Sequence, residues 1–221
     1  TTTIARGGVN IGSGQFVVQQ NSGRVGVQTA TPSYALDVAG FVNTDQYSGY
    51  KQAGNTILYA SSTNVSTFVG IGAGQAVLSD GNDNTAVGYN ALFSATSADG
   101  NTAVGFQSLY TGTSGFSNTA VGDRSLFSLT TGFQNTAVGL HAGRDITSGS
   151  NNTFIGSGSG YTDGTFTTPV TLTNAAAIGF SAQVTASNSL VLGGMGENAV
   201  NVGIGTTSPY AKLSVVGETV A

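Results

Sequence analysis

The chain has 221 residues, of which only 7% are Asp, Glu, Lys or Arg, 34 are Gly and none is Cys or Trp. Six basic residues against ten acidic ones, a formal net charge of −4, argue against a basic nucleic-acid surface, and the missing Cys excludes a disulfide framework and thiol chemistry. With 39% hydrophobic residues the chain is too apolar for disorder. It has no run near the ~18 apolar residues of a membrane helix, so no membrane insertion is expected.

The first residues, Thr1-Thr2-Thr3-Ile4, show no basic stretch followed by an apolar one, so no signal peptide is expected there. Gly12-Ser13-Gly14-Gln15-Phe16-Val17-Val18 reads as a strand. Residues 25–40, VGVQTATPSYALDVAG, place Pro32 between a short apolar strand and the alternating Leu36-Asp37-Val38. Residues 43–60, with Tyr47, Tyr50 and Tyr59, read as an extended connector. Residues 1–65 are therefore an N-terminal β module and connector.

The next stretch is dominated by a repeat. NTAVG starts at Asn84, Asn101, Asn118 and Asn135, and NTFIG starts at Asn152, each 17 residues after the last. Leu92-Phe93, Leu109-Tyr110 and Leu126-Phe127 follow the first three copies, and Ala142-Gly143 interrupts that pattern in the fourth. Looser copies occur at Ser66–Gly70, Ala175–Gly179 and Asn188–Gly193. A 17-residue unit cannot bury its own apolar side, but stacked units can, which is the logic of a solenoid. About eight coils are expected over residues 66–193, a rod of about 38 Å at ~4.8 Å per coil.

Stacking predicts an amide ladder of Asn84, Asn101, Asn118, Asn135 and Asn152 at a corner where Asn tolerates left-handed angles. It predicts a buried column of Val87, Val104, Val121, Val138 and Ile155, and a second of Leu92, Leu109 and Leu126. Gly88, Gly105, Gly122, Gly139 and Gly156 are expected at positive φ or at close backbone approaches. Residues 202–217, VGIGTTSPYAKLSVVG, then match residues 25–40 at a constant offset of 177, so residues 194–221 are read as a second copy of the outer module. A single chain offers these short strands no obvious sheet, which points to several chains sharing one core.

The NTAVG coils resemble the left-handed β-roll heads of trimeric autotransporter adhesins. The VGIGTTSPYAKLSVVG segment resembles a module of phage tail fibres and related bacterial surface fibres. The resemblance covers residues 66–193 and the two modules; the 17-residue period is longer than the adhesin head repeat, and no coiled-coil stalk, membrane anchor or chaperone domain is expected within these 221 residues. It implies an all-β, left-handed parallel β-roll in which three chains intertwine into a homotrimeric fibre, extracellular and on a cell surface or virion.

Catalysis needs convergent titratable groups, and no such set is evident. His141 is the only histidine and reads as a surface or corner residue. Asp80, Asp83 and Asp99 read as solvated turn aspartates rather than Ca²⁺ ligands. The Gly70–Gly74 and Gly156–Gly160 runs read as tight corners, since no lysine follows them. The sequons at Asn64 and Asn151 carry little without a secretory route. No enzyme activity, metal or cofactor is expected. Tyr110, Phe116 and Phe133 read as packing between coils rather than sugar platforms.

The expected role is a structural shaft of an extracellular fibre, spacing or presenting a tip, with end-to-end polymerisation allowed by the matching outer modules. The alternative is an adhesin head recognising a host surface or glycan through residues 157–174. A lesser alternative is an ice-binding solenoid carried by Thr85, Thr102, Thr119, Thr136 and Thr153, provided alternation does not turn them inward.

Overall fold

A computed structural model describes residues 9–11, 16–19, 22–39, 50–61, 65–77, 81–161, 171–194 and 196–217. Residues 12–15 of the first expected strand, Tyr47, Asn64, Asp80 and residues 162–170 of the departing loop lie outside that set. The chain divides into two units, Thr1–Asp45 and Gln46–Ala221.

The first unit is a four-stranded sheet in sequence order: β1 Val9–Ile11, β2 Phe16–Val18, β3 Val25–Val27 and β4 Leu36–Val38. Its first two pairings are antiparallel and β3–β4 is parallel. The parallel pair is a clip built around the proline. Val25 N–H donates to Ala35 O at 2.9 Å, Ala39 N–H to Val27 O at 2.9 Å, and Arg24 Nη1 to Pro32 O at 3.2 Å.

The second unit carries a ten-stranded sheet, also in sequence order. It begins with β5 Tyr50–Gln52 and β6 Asn55–Ser61, which form an antiparallel hairpin on β7 Ser66–Val69. From β7 onward all pairings are parallel, through β8 Thr85–Val87, β9 Thr102–Val104, β10 Thr119–Val121, β11 Thr136–Val138, β12 Thr153–Ile155, β13 Ala176–Ile178 and β14 Leu190–Leu192. Equivalent residues of successive coils face each other, so Thr85, Thr102, Thr119, Thr136 and Thr153 stand in one register. This is a parallel β-solenoid, and no α-helix occurs among the described residues.

Sequence chemistry explains the short strand. Thr and Val favour extended backbone, and the glycine after each Val turns the corner at φ of 133° to 135° in Gly88, Gly105, Gly122 and Gly139. A Cβ on Gly105 would collide with the Gly122 carbonyl of the next coil, so only glycine lets the corners stack.

The sheet alternates, and the parity puts Ala rather than Val inside. Ala86, Ala103, Ala120 and Ala137 are fully buried, together with Leu92, Leu109 and Leu126. Each Leu lies six residues beyond its Ala and holds a left-handed φ of 46° to 52°. Where the inner residue is Phe, its partner six residues on is Gly. Phe68 faces Gly74, whose added Cβ would strike the ring, and Phe154 faces Gly160 in the same way. Gly143 yields to the same ring: its Cβ would meet Phe154 Cδ2 at 2.6 Å and Leu126 Cδ2 at 2.9 Å. The break at Ala142-Gly143 thus makes room for the Phe of the next coil.

Beyond β14 come a 3-10 turn, Gly196–Asn198, and the parallel pair β15 Val202–Ile204 and β16 Leu213–Val215. The β15–β16 clip reproduces three hydrogen bonds of the β3–β4 clip. Val202 N–H donates to Lys212 O at 2.9 Å, Val216 N–H to Ile204 O at 2.8 Å, and Asn201 Nδ2 to Pro209 O at 3.2 Å. A single chain therefore does pair these strands, contrary to the expectation from sequence. It leaves their apolar side chains in solvent: Leu36, Leu213 and Val215 are each more than 60% exposed.

Candidate functional site

The amide ladder is buried and continuous. In Asn118, Nδ2 donates to Asn101 Oδ1 at 3.0 Å and to Gly132 O at 2.9 Å. Its Oδ1 accepts from Asn135 N–H and Asn135 Nδ2, both at 3.0 Å. Asn101, Asn135 and Asn152 repeat the pattern one coil at a time. Ser66 Oγ starts the ladder by accepting from Asn84 N–H at 3.0 Å, and Ala175 N–H ends it on Asn152 Oδ1 at 3.0 Å. The left-handed residues are not the ladder asparagines but those just before them: Asp83, Gly100, Ser117, Gln134 and Asn151, at φ of 54° to 62°.

The Val column differs from its expected place. Val87, Val104 and Val121 are half-buried, and Val138 and Ile155 are about 40% exposed. The physical reason is the alternation just described. Asn is fixed inward by the ladder, so the residue two beyond it, Ala, is inward, and Thr and Val both point outward. The column runs on at both ends through Val69, Ile178 and Leu192, all partly exposed.

Two residues past each Val lies a second outward column, which sequence reading missed: Ile71, Tyr89, Phe106, Asp123, Leu140, Ser157 and Phe180. Its five apolar members are each 40% exposed or more. The signal lay in the sequence, at the residue after each corner glycine.

Aromatic rings stack along the solenoid. Phe93, Tyr110 and Phe127 lie 5.2 and 5.1 Å apart with planes within 6°. The interrupted fourth copy keeps this column through Arg144, whose guanidinium lies 6.0 Å from the Phe127 ring and 5.1 Å from that of Tyr161. Its Nη1 donates to Tyr161 Oη at 3.0 Å. Extending the period by 17 from Phe127 would have found it. Phe116 and Phe133 stack at 4.9 Å, as packing between coils requires. Rings whose faces are covered by other rings offer sugars mainly their edges.

Charges within the central coils gather in two neighbours. Asp123, Arg124, His141, Arg144 and Asp145 are close enough for electrostatic coupling. Arg124 Nη1 lies 3.5 Å from Asp123 Oδ1, Arg124 Nε donates to Gln107 Oε1 at 3.1 Å, and the guanidinium sits 5.1 Å from the Phe106 ring. His141 occupies a left-handed corner at φ 56°. Burial, and then the Arg144 guanidinium, hold its pKa below the ordinary 6.5. Asp83 and Asp99 flank an open loop pocket, where Asp99 Oδ1 accepts from Asn82 N–H at 2.6 Å. Among the described residues no group of three or more His, Asp or Glu is placed to hold a metal, and no helix is long and apolar enough to cross a membrane.

No protein family, curated protein or solved structure matches the chain.

Proposed function

We propose that the chain is a shaft segment of an extracellular fibre on a cell surface or virion, built as a left-handed, intertwined homotrimer. One observation carries this reading. The solenoid fills its own interior with Ala, Leu and Phe, yet carries a separate apolar column from Val69 to Leu192 along the outside of eight parallel strands. A sheet face of that height is stabilised by burial against other copies of itself, since every copy presents the same column at the same spacing. The exposed Leu36, Leu213 and Val215 of the outer clips ask for the same cover.

A shaft tolerates a change of length, because each coil contacts only its neighbours. Deleting residues 102–135, two whole coils, rejoins Asn101 to Thr136 in register. The expected product folds, keeps the same number of chains and is shorter by about 10 Å in solution scattering. Collapse of the fold or a change in chain number would contradict the reading. In the adhesin alternative, replacing the loop at 157–174 abolishes binding to a host surface while the shaft survives. The ice-binding alternative has one observation in its favour: six threonines, from Thr67 to Thr153, stand outward in one register. It requires that face to be free, so it predicts a monomer with thermal hysteresis.

A further inference from the structure

An apolar column repeated every coil binds strongly but does not say where to bind. Sliding one copy past another by one coil sets Val against Val again at almost every level, so apolar contact leaves the axial register of a homo-oligomer unspecified. Two levels of the second column are polar, Ser157 and one that carries charge, and the charged level breaks this degeneracy most sharply. In the second outward column, between Phe106 and Leu140, stands Asp123, followed by Arg124.

This pair is incompletely served within its own chain. Asp123 Oδ1 is shielded from solvent and has no hydrogen-bond donor; Arg124 Nη1 stays 3.5 Å away. The arginine is held toward the coil below by the Phe106 ring and by Gln107. The Asp123 side chain is still 44% exposed, so water serves the rest of the carboxylate in a lone chain. Covering the face removes that water. An apolar residue of a second copy opposite Asp123 then strands a charge, which is costly. A second copy aligned level with the first instead brings its own carboxylate and guanidinium to the same height.

We propose that Asp123 and Arg124 form a charged layer that fixes the axial register between copies of this chain. The occupant of the face is a second copy, argued from this charge complementarity: each copy offers one acid and one base at one level, with the apolar Phe106 and Leu140 immediately below and above the acid. A single buried polar layer sets register in coiled coils by the same reasoning. The inference rests on the homo-oligomer reading above.

The chain has no cysteine, so one label can be placed cleanly. A nitroxide at Ser148→Cys, an exposed loop position outside both columns, reports distances between chains by pulsed electron paramagnetic resonance. The unaltered layer should give one narrow distance. Asp123→Leu with Arg124→Leu should still assemble, with a broadened distribution as copies offset by one or more coils appear. A second variant moves the layer up one coil: Asp123→Leu and Arg124→His together with Leu140→Asp and His141→Arg. It should restore the single narrow distance. A narrow distance in the Asp123→Leu/Arg124→Leu protein, or a broad one in the moved-layer protein, overturns the proposal. A 22 kDa monomer with no distance between chains overturns instead the oligomer on which it rests.

Discussion

Asn118 is the residue on which most of a coil converges. Its side chain makes four hydrogen bonds in a buried corner, two donated and two accepted. Asn118→Ala leaves the Asn135 N–H, its Nδ2 and the Gly132 carbonyl without those partners. At about 1–3 kcal/mol per stranded buried group, partly relieved by relaxation, the expected loss is about 3–5 kcal/mol. Chemical denaturation measures it, and a loss under 1 kcal/mol would show that the ladder is dispensable. Phe154 and Gly160 test packing in the same way. Phe154→Ala opens a cavity costing about 3–5 kcal/mol. Gly160→Leu alone overpacks against the ring, although the backbone there, at φ 62°, is close to that of Leu126. The double variant rebuilds the Ala–Leu pair of the coils at Ala86, Ala103 and Ala120, so it should be more stable than the sum of the two losses; additive losses would refute the pairing. His141 supplies a pH dependence. Its folded pKa lies below 6.5, so below pH 6.5 the unfolded chain takes up the proton first. Stability therefore falls as pH drops through that window, and His141→Gln should flatten this part of the profile in thermal melts.

The coil itself was largely legible in the sequence. The 17-residue spacing of NTAVG gave the parallel stack and the amide ladder's members, because identical residues at a fixed interval must stack on themselves. It did not give the direction of Val121. Apolar character alone suggested the interior, whereas parity from the inward Asn118 puts Ala120 inside and both Thr119 and Val121 outside. The narrow interior explains the choice: a coil this short accommodates Ala opposite Leu126, or Phe154 opposite glycine, but has no space for a second large residue. Arg144 was hidden for a related reason. It continues an aromatic column without being aromatic, and only its planar guanidinium fits between two rings. Lysine there would keep the charge but lose the plane. Arg144→Lys should lower the melting temperature more than a substitution at the exposed Ser148 does, and an equal effect would refute the stacking role.

The outward column connects the single coil to the whole molecule. Its valines are only half-buried within one chain and lie outside the packed interior, so their substitution separates folding from association. Val104→Lys with Val138→Lys should leave the β-sheet circular dichroism spectrum intact and dissociate the assembly. A variant that unfolds outright would show that the column serves the chain itself. The outer clips behave consistently: two copies of one module, 177 residues apart, hold the same pair of backbone hydrogen bonds and leave the same leucine exposed. The resemblance to fibre proteins, read from sequence, and the outward apolar face, read from structure, are separate lines of support for association of copies. The most direct test is the mass and shape of the unmodified protein in dilute solution, by analytical sedimentation. The homotrimer should sediment as an elongated particle of three times the 22.0 kDa chain. A 22.0 kDa monomer with its apolar face in water would contradict it.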